Sequence, residues 1–238
     1  MLDLSKNKIK WIRSLHRKKA RDQENCFVVE GEKIVREVLN NHPDSIELIC
    51  AREDFDGPAD RCFQVGEREM KQISGLNTPP SVLAVVRKKE WARATSKNVL
   101  VLDGIQDPGN FGTIVRTADW FGFDRIVCSS GTVDCYNAKA IQSTMGSVFS
   151  VSIEYRDLNE YLQTLGIPIY GALLDGCPID ECEISSPLAL VVGNEGQGIS
   201  EEIREHISHP VLIPGFGKAE SLNVSVATGI LLSRFAVL

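Results

Sequence analysis

The spacing of apolar residues changes near residue 98, and the change divides the chain in two. In the first part Ile9, Ile12 and Leu15 recur at helical spacing with lysines between them, which predicts a helix from Ser5 to about Leu15. Cys26–Val29 reads as a short strand, and Glu30-Gly31-Glu32 leads into a helix with Ile34, Val35, Val38 and Leu39 on one face. Strands over Ile46–Ala51, Cys62–Val65 and Val82–Val86, with a short helix over Glu67–Ile73, complete a βαβ-like run. Residues 87–97 are charged and break the pattern. The expected organisation is a domain over 1–88, a linker over 89–97 and a second domain over 98–238.

From Asn98 the period is different. Val99-Leu-Val-Leu102 is apolar at every position, as in a strand buried on both faces of a parallel sheet. Helices over 110–122, 137–145, 157–165, 200–207 and 223–236 alternate with strands over 125–128, 148–153, 168–173, 188–192 and 210–213. That alternation predicts an α/β fold with a mostly parallel sheet. In helix 110–122, Phe111, Ile114, Val115, Ala118 and Phe121 form one stripe, and Arg116 points roughly opposite to it, towards solvent, a partner subunit or a ligand. The last helix is apolar nearly all round (Val224, Val226, Ala227, Ile230, Leu231, Leu232, Phe235, Ala236, Val237), which predicts cover from its own domain and from a second subunit.

Two strand-length apolar runs stop in glycine, at Gly193, Gly196 and Gly198 and again at Gly215 and Gly217, and each opens into a helix. Glycine lets a backbone approach a ligand closely, and open α/β sheets bind ligands beyond the carboxyl ends of their strands. Asn194, Glu195, Ser221 and Asn223 in these loops favour a binding site over plain turns. Neither a dinucleotide glycine fingerprint nor a phosphate-binding loop is present.

Composition adds three constraints. Hydrophobic content of 43% and charged content of 24% are those of a globular protein, and no apolar run approaches the ~20 residues of a membrane span. The basic N-terminal stretch has no apolar segment behind it, so no secretory signal is expected. Seven scattered cysteines form no Cys-x-x-Cys, Cys177 and Cys182 are the one close pair, and His206-x-x-His209 lacks an acidic or thiol partner nearby. Reduced thiols in a cytoplasm, with no metal and no membrane, are expected. The net charge is −6, yet Lys6, Lys8, Lys10, Arg13, Arg17, Lys18, Lys19 and Arg21 face only Asp3 within the first 21 residues. A basic arm on an acidic body suits contact with phosphate along one segment, through Lys6, Lys8, Lys10, Arg13, Lys18, Lys19 and Arg21. Trp11 lies off the apolar stripe, where it can stack on an unpaired base or pack on the next element.

Three stretches carry a family resemblance: Asn110-Phe-Gly-Thr-Ile-Val-Arg116-Thr-Ala after Asp107-Pro-Gly, Gly193-Asn-Glu-Gly-Gln-Gly-Ile-Ser, and Ile213-Pro-Gly…Ser221-Leu-Asn-Val-Ser-Val-Ala. In that order they resemble the motifs of the SpoU (TrmH) family of RNA ribose methyltransferases. Phe27-Val-Val-Glu-Gly-Glu is similar to part of the family's small N-terminal α/β substrate-binding domain. The resemblance implies a deep trefoil knot in the C-terminal domain, which no periodicity argument reaches. It implies methyl transfer from S-adenosylmethionine to a ribose 2′-hydroxyl of structured RNA, ribosomal RNA ahead of transfer RNA, which stays open as the alternative. The implied cofactor residues are Gly193, Asn194, Gly196, Gly198, Ile213, Pro214, Ser221, Leu222, Asn223 and Val226, with Leu222 and Val226 offering apolar surface to adenine. The implied catalytic set is Arg116, Asn110, Glu195, Ser221 and Asn223. Arg116 also touches RNA, and a guanidinium that stays protonated suits a phosphate clamp or alkoxide stabiliser better than a base. A homodimer, with Arg116 reaching the partner's cofactor loops, is implied as well. The sequence departs from the commoner pattern at Gly215-Phe-Gly-Lys, where methionine often follows the proline, and at Ser147, where alanine is usual. The first departure bears on substrate fit. Base methylation and RNA binding without catalysis are the competing readings; the Asn110/Arg116 motif argues against the former, and the retained polar loop residues against the latter.

Overall fold

A computed structural model describes residues 2–53, 55–89 and 91–236. Val237, counted above in the last helix, lies outside them. The chain divides into two compact units, Met1–Glu90 with Tyr136–Gly146, and Trp91–Cys135 with Ser147–Leu238.

The first unit holds a five-stranded mixed sheet in the order β1-β4-β3-β5-β2, from Leu2–Asp3 (β1), Cys26–Glu30 (β2), Ile46–Ala51 (β3), Cys62–Gln64 (β4) and Val82–Arg87 (β5). Strand β5 runs antiparallel between β2 and β3, while β4 is parallel to β3. Helix α1 (Lys6–Ser14) starts where Ser5 accepts a hydrogen bond from the Lys8 N–H at 3.3 Å, and it buries Ile12. Helix α2 (Lys18–Glu24) lies in the basic run and carries no apolar stripe that could have revealed it. Helices α3 (Glu32–Asn41) and α4 (Glu67–Ile73) complete the N-terminal part.

Glu30 is buried and accepts hydrogen bonds from Ser74 Oγ at 2.5 Å and Gly75 N at 2.9 Å. In the Phe27-Val-Val-Glu stretch, then, this carboxylate ties the sheet to the loop after α4. Helix α6 (Ala138–Thr144) packs on β2, and the Tyr136 ring centroid lies 4.5 Å from that of Phe27. This helix was expected among the alternating elements of the second domain; its packing groups it with the first unit.

The second unit is built on a six-stranded sheet in which every pairing is parallel. Its order is β11-β9-β10-β6-β7-β8, from Val99–Asp103 (β6), Arg125–Cys128 (β7), Ser152–Tyr155 (β8), Ile169–Pro178 (β9), Ala189–Gly193 (β10) and His209–Leu212 (β11). The central strands β6 and β10 are covered on both faces, which is why their sequences are apolar without alternation. The strand expected over 148–153 begins later, because Ser147–Phe149 is a 3₁₀ turn. Helices α7 (Leu158–Gln163) and α8 (Glu201–Arg204) are shorter than their apolar spacing suggested. Helix α5 (Pro108–Trp120) starts with proline in its first turn and with the Asp107 side chain accepting from Asn110 N. Helix α9 (Val224–Phe235) starts at Asn223, whose side chain accepts from Ser225 N and Val226 N. These two helices pack on each other; a Cβ on Gly229 would stand 3.6 Å from Thr117 Cγ2.

Candidate active site

The sheet of the second unit delivers three segments to one end: the β6–α5 turn, the loop after β10 and the loop from β11 to α9. Side-chain hydrogen bonds join them. Asn223 Nδ2 donates to Asn110 Oδ1 at 3.0 Å, and Asn110 Nδ2 donates to Glu195 Oε1 at 3.1 Å. Glu195 also accepts from the backbone N–H groups of Asp107 at 3.3 Å and Gln106 at 3.4 Å. One chain of amide and carboxylate groups therefore ties together residues as far apart in sequence as Asn110 and Asn223. Partial burial works against the Glu195 charge, but the Asn110 amide and the N–H groups of Glu195, Gln106 and Asp107 outweigh it. The carboxyl is held below its ordinary value. Glu195 is thus ionised at neutral pH and occupied with orienting the loops.

The loop after β10 is closed on itself. Asn194 and Gly198 exchange backbone hydrogen bonds at 2.9 Å in both directions. Asn194 Oδ1 accepts from Gly196 N at 2.9 Å and Gln197 N at 3.1 Å, and its Nδ2 donates to Gly104 O at 2.7 Å. Asp103, the last residue of β6, accepts from Ser200 N at 2.9 Å. A Cβ at Gly193 would stand 2.2 Å from Gly198 C, so glycine is required there by the tightness of the turn itself. Gly198 takes a φ of +72°, a conformation that glycine adopts freely. The backbone groups of Asn194 and the N–H of Gly196, two residues of the expected cofactor set, are hydrogen-bonded within this turn.

The loop from β11 to α9 is the opposite. Among the described residues, the backbone N–H and C=O groups of residues 213–222 make no hydrogen bond. Ser221 is exposed and its hydroxyl has no partner in the described structure. Leu222 and Val226 are about half exposed, offering apolar surface beside these free groups. Unpaired backbone donors and acceptors, a free hydroxyl and an apolar patch fit a nucleoside that carries an amino-acid end. Ile213, Pro214, Ser221 and Leu222 are among the members of the expected cofactor set that keep groups free for it.

Arg116 is exposed on α5, and its guanidinium has no hydrogen bond or ion pair among the described residues. It stands six residues beyond Asn110, about 9 Å further along the helix axis and roughly 240° round it. Within one chain it does not join the Asn223–Asn110–Glu195 chain of contacts. The apolar side chains Trp120, Leu222, Val226 and Ile230 are exposed on and beside α5 and α9.

In the first unit, Lys6, Lys8, Lys10, Arg13, Lys18 and Lys19 are exposed. Arg21, expected in the same set, is 3% exposed and donates to Leu15 O at 3.0 Å. It fastens α2 to the end of α1 and is withdrawn from the candidate phosphate contacts. Trp11 packs against the apolar core of this unit, and its indole N–H donates to Glu24 at 3.1 Å, so it is a packing residue. Gly104, Asp103, Gln106 and Asp107 were missed as loop supports. Their contribution runs through backbone groups or one strand-end carboxylate, which a sequence pattern does not display.

The SpoU rRNA Methylase family model matches residues 97–233, and the MRM3-like substrate binding domain model matches residues 6–84. The chain is 37% identical over 241 residues to the 23S rRNA guanosine 2′-O-methyltransferase RlmP of Bacillus subtilis, covering 97% of each. It superposes on a TrmH-family structure from Porphyromonas gingivalis with a TM-score of 0.86 at 37% identity, covering 98% of both chains. An AdoMet-bound rRNA methyltransferase from Sinorhizobium meliloti gives a TM-score of 0.83 at 28% identity, over 99% of this chain and 96% of that one. With its three motif segments joined at one end of a parallel sheet, the chain belongs to the SpoU rRNA Methylase family.

Proposed function

We propose that this protein transfers a methyl group from S-adenosylmethionine to a ribose 2′-hydroxyl of ribosomal RNA. The observation that carries the reading is the Asn223–Asn110–Glu195 chain, which joins the three motif segments in one constellation. The relatives named for 23S rRNA support ribosomal RNA over transfer RNA as substrate. When bound, S-adenosylmethionine supplies a methyl group on a cationic sulfur. Ile213, Pro214, Leu222 and Val226 hold the nucleoside, and Ser221 meets its ribose or methionine end. Asn110, Glu195 and Asn223 act as positioning residues, since their side chains are already engaged with one another. Arg116, permanently charged, clamps the phosphate beside the reacting ribose or stabilises the developing 2′-alkoxide.

The loops around Gly193 and Ile213 form a trefoil knot, supported by the match to the SpoU rRNA Methylase family and the superposition on a TrmH-family structure. Two copies pair through the exposed apolar side chains of α5 and α9, bringing Arg116 to the partner's loops. The first 88 residues bind RNA, with the exposed lysines of α1 and α2 on its phosphates, and the protein works in the cytoplasm.

The test is methyl transfer from labelled cofactor to ribosomal RNA, followed by alkaline hydrolysis. The reading expects label in a dinucleotide that resists cleavage, and label on a base overturns it. For the shared site, inactive Arg116→Ala and Asn223→Ala proteins should regain about a quarter of wild-type activity when subunits mix at random. A mixture that stays inactive after proven exchange places Arg116 in its own subunit's site.

A further inference from the structure

The loop from β11 to α9 displays one large apolar side chain with no partner in its own subunit. Phe216 is 99% exposed, more than any other large apolar side chain of the described residues. It stands between Gly215 and Gly217, where an added Cβ would meet nothing within 4 Å, and Lys218 follows, also exposed. The ring has no packing role in its own subunit, and its open glycine neighbours leave both of its faces accessible. The loop has no hydrogen bonds of its own among the described residues and ends at Asn223, which holds Asn110. The segment that displays the ring is thus anchored at its two ends, in β11 and at Asn223, and makes no hydrogen bond between them among the described residues.

We propose that Phe216 is the platform on which a nucleobase of the RNA substrate stacks, at or next to the nucleotide whose ribose is methylated. The proposal deepens the ribose-methylation reading and rests on it for the identity of the substrate. Bases present a π-face of the size of the phenyl ring, and such stacking tolerates any base while favouring purines. Lys218, two residues on, supplies a cation for the neighbouring phosphate. A platform of this kind selects an unpaired nucleotide, since a base within a duplex has both faces covered. Specificity for an exposed, purine-rich loop would then reside in a position outside the three motifs.

The experiment uses the full-length protein with Phe216→Ala, Phe216→Leu and Phe216→Trp. The probes are oligoadenylate, the same oligomer with abasic positions, and a ribosomal RNA transcript. Stacking predicts about a 10- to 100-fold weaker affinity for oligoadenylate in Phe216→Ala and Phe216→Leu. It predicts a matching rise in KM for the transcript, with cofactor affinity and oligomeric state unchanged. Phe216→Trp should retain activity, with emission quenched by oligoadenylate and not by the abasic oligomer, relative to wild type. Unchanged oligoadenylate affinity in Phe216→Ala overturns the proposal. So does a loss confined to cofactor binding, which puts the ring on the cofactor, or dissociation of the oligomer, which puts it on a second subunit. If the wild-type protein places no methyl on ribose but Phe216→Ala still loses oligoadenylate affinity, the methylation reading fails and the stacking role stands.

Discussion

The two glycine-rich loops of the second unit look alike in sequence and are opposites in structure. The loop at Gly193–Gly198 spends its polar groups on itself: Asn194 satisfies Gly196, Gln197, Gly198 and Gly104, and Gly193 makes room for its own chain. The loop at Ile213–Leu222 satisfies none of its backbone groups within the described structure and exposes Phe216, Ser221 and Leu222. A glycine cluster therefore signals close approach without saying of what. In the first loop the neighbour is the chain itself, and in the second it is open space that a ligand can enter.

The contrast is broken most forcefully at Gly193. A Cβ there collides with backbone, which cannot rotate aside, so Gly193→Ala should cost about 3 kcal/mol in urea unfolding, or prevent folding. Gly217→Ala, with open space around it, should stay within about 0.5 kcal/mol of wild type in the same assay. Equal losses at the two positions would erase the distinction.

Asn194→Ala comes next. It leaves Gly104 O and the N–H groups of Gly196 and Gln197 without their partner, with an expected cost of about 2 kcal/mol. Ser221→Ala in the other loop should leave stability unchanged and weaken S-adenosylmethionine binding, measured by calorimetry.

The smallest effect is the pH dependence of Glu195. Its carboxyl is depressed in the folded protein, so its contribution is complete above the ordinary carboxylate value of about 4.3 and is lost as pH falls through the lower folded value. Asp124 is depressed too: burial opposes its charge, and hydrogen bonds from Thr95 and Ser96 prevail, so it adds to the same acid slope. The difference between wild type and Glu195→Gln isolates Glu195. It should shrink as pH falls below about 4.3; a difference independent of pH would remove the charge from the account.

Much of this fold was legible in the chain because burial imposes a period. The uniformly apolar runs at Val99–Leu102 and 188–192 gave the central strands, and the stripe of Phe111, Ile114, Val115 and Ala118 gave α5. Helix α2 was not legible, because its residues are held by Arg21 and neighbouring contacts and not by an apolar face. Nor was the grouping of α6 with the first unit, since a short helix has the same spacing whichever sheet it covers. At the site, the motifs named Asn110, Glu195 and Asn223 but not that they bind one another. Arg21 shows the same limit: composition counted it as a cation for phosphate, while position made it an internal fastener.

Hydrogen–deuterium exchange of the full-length protein, with and without saturating S-adenosylmethionine, tests the contrast between the two loops most directly. Amides of residues 213–222 should exchange fast in the free protein and slow markedly with the cofactor. Those of residues 194–198 should be protected in both states, because their hydrogen bonds are already made. Protection gained at 194–198 while 213–222 stays fast would contradict the account and move the cofactor to the loop held here to be closed.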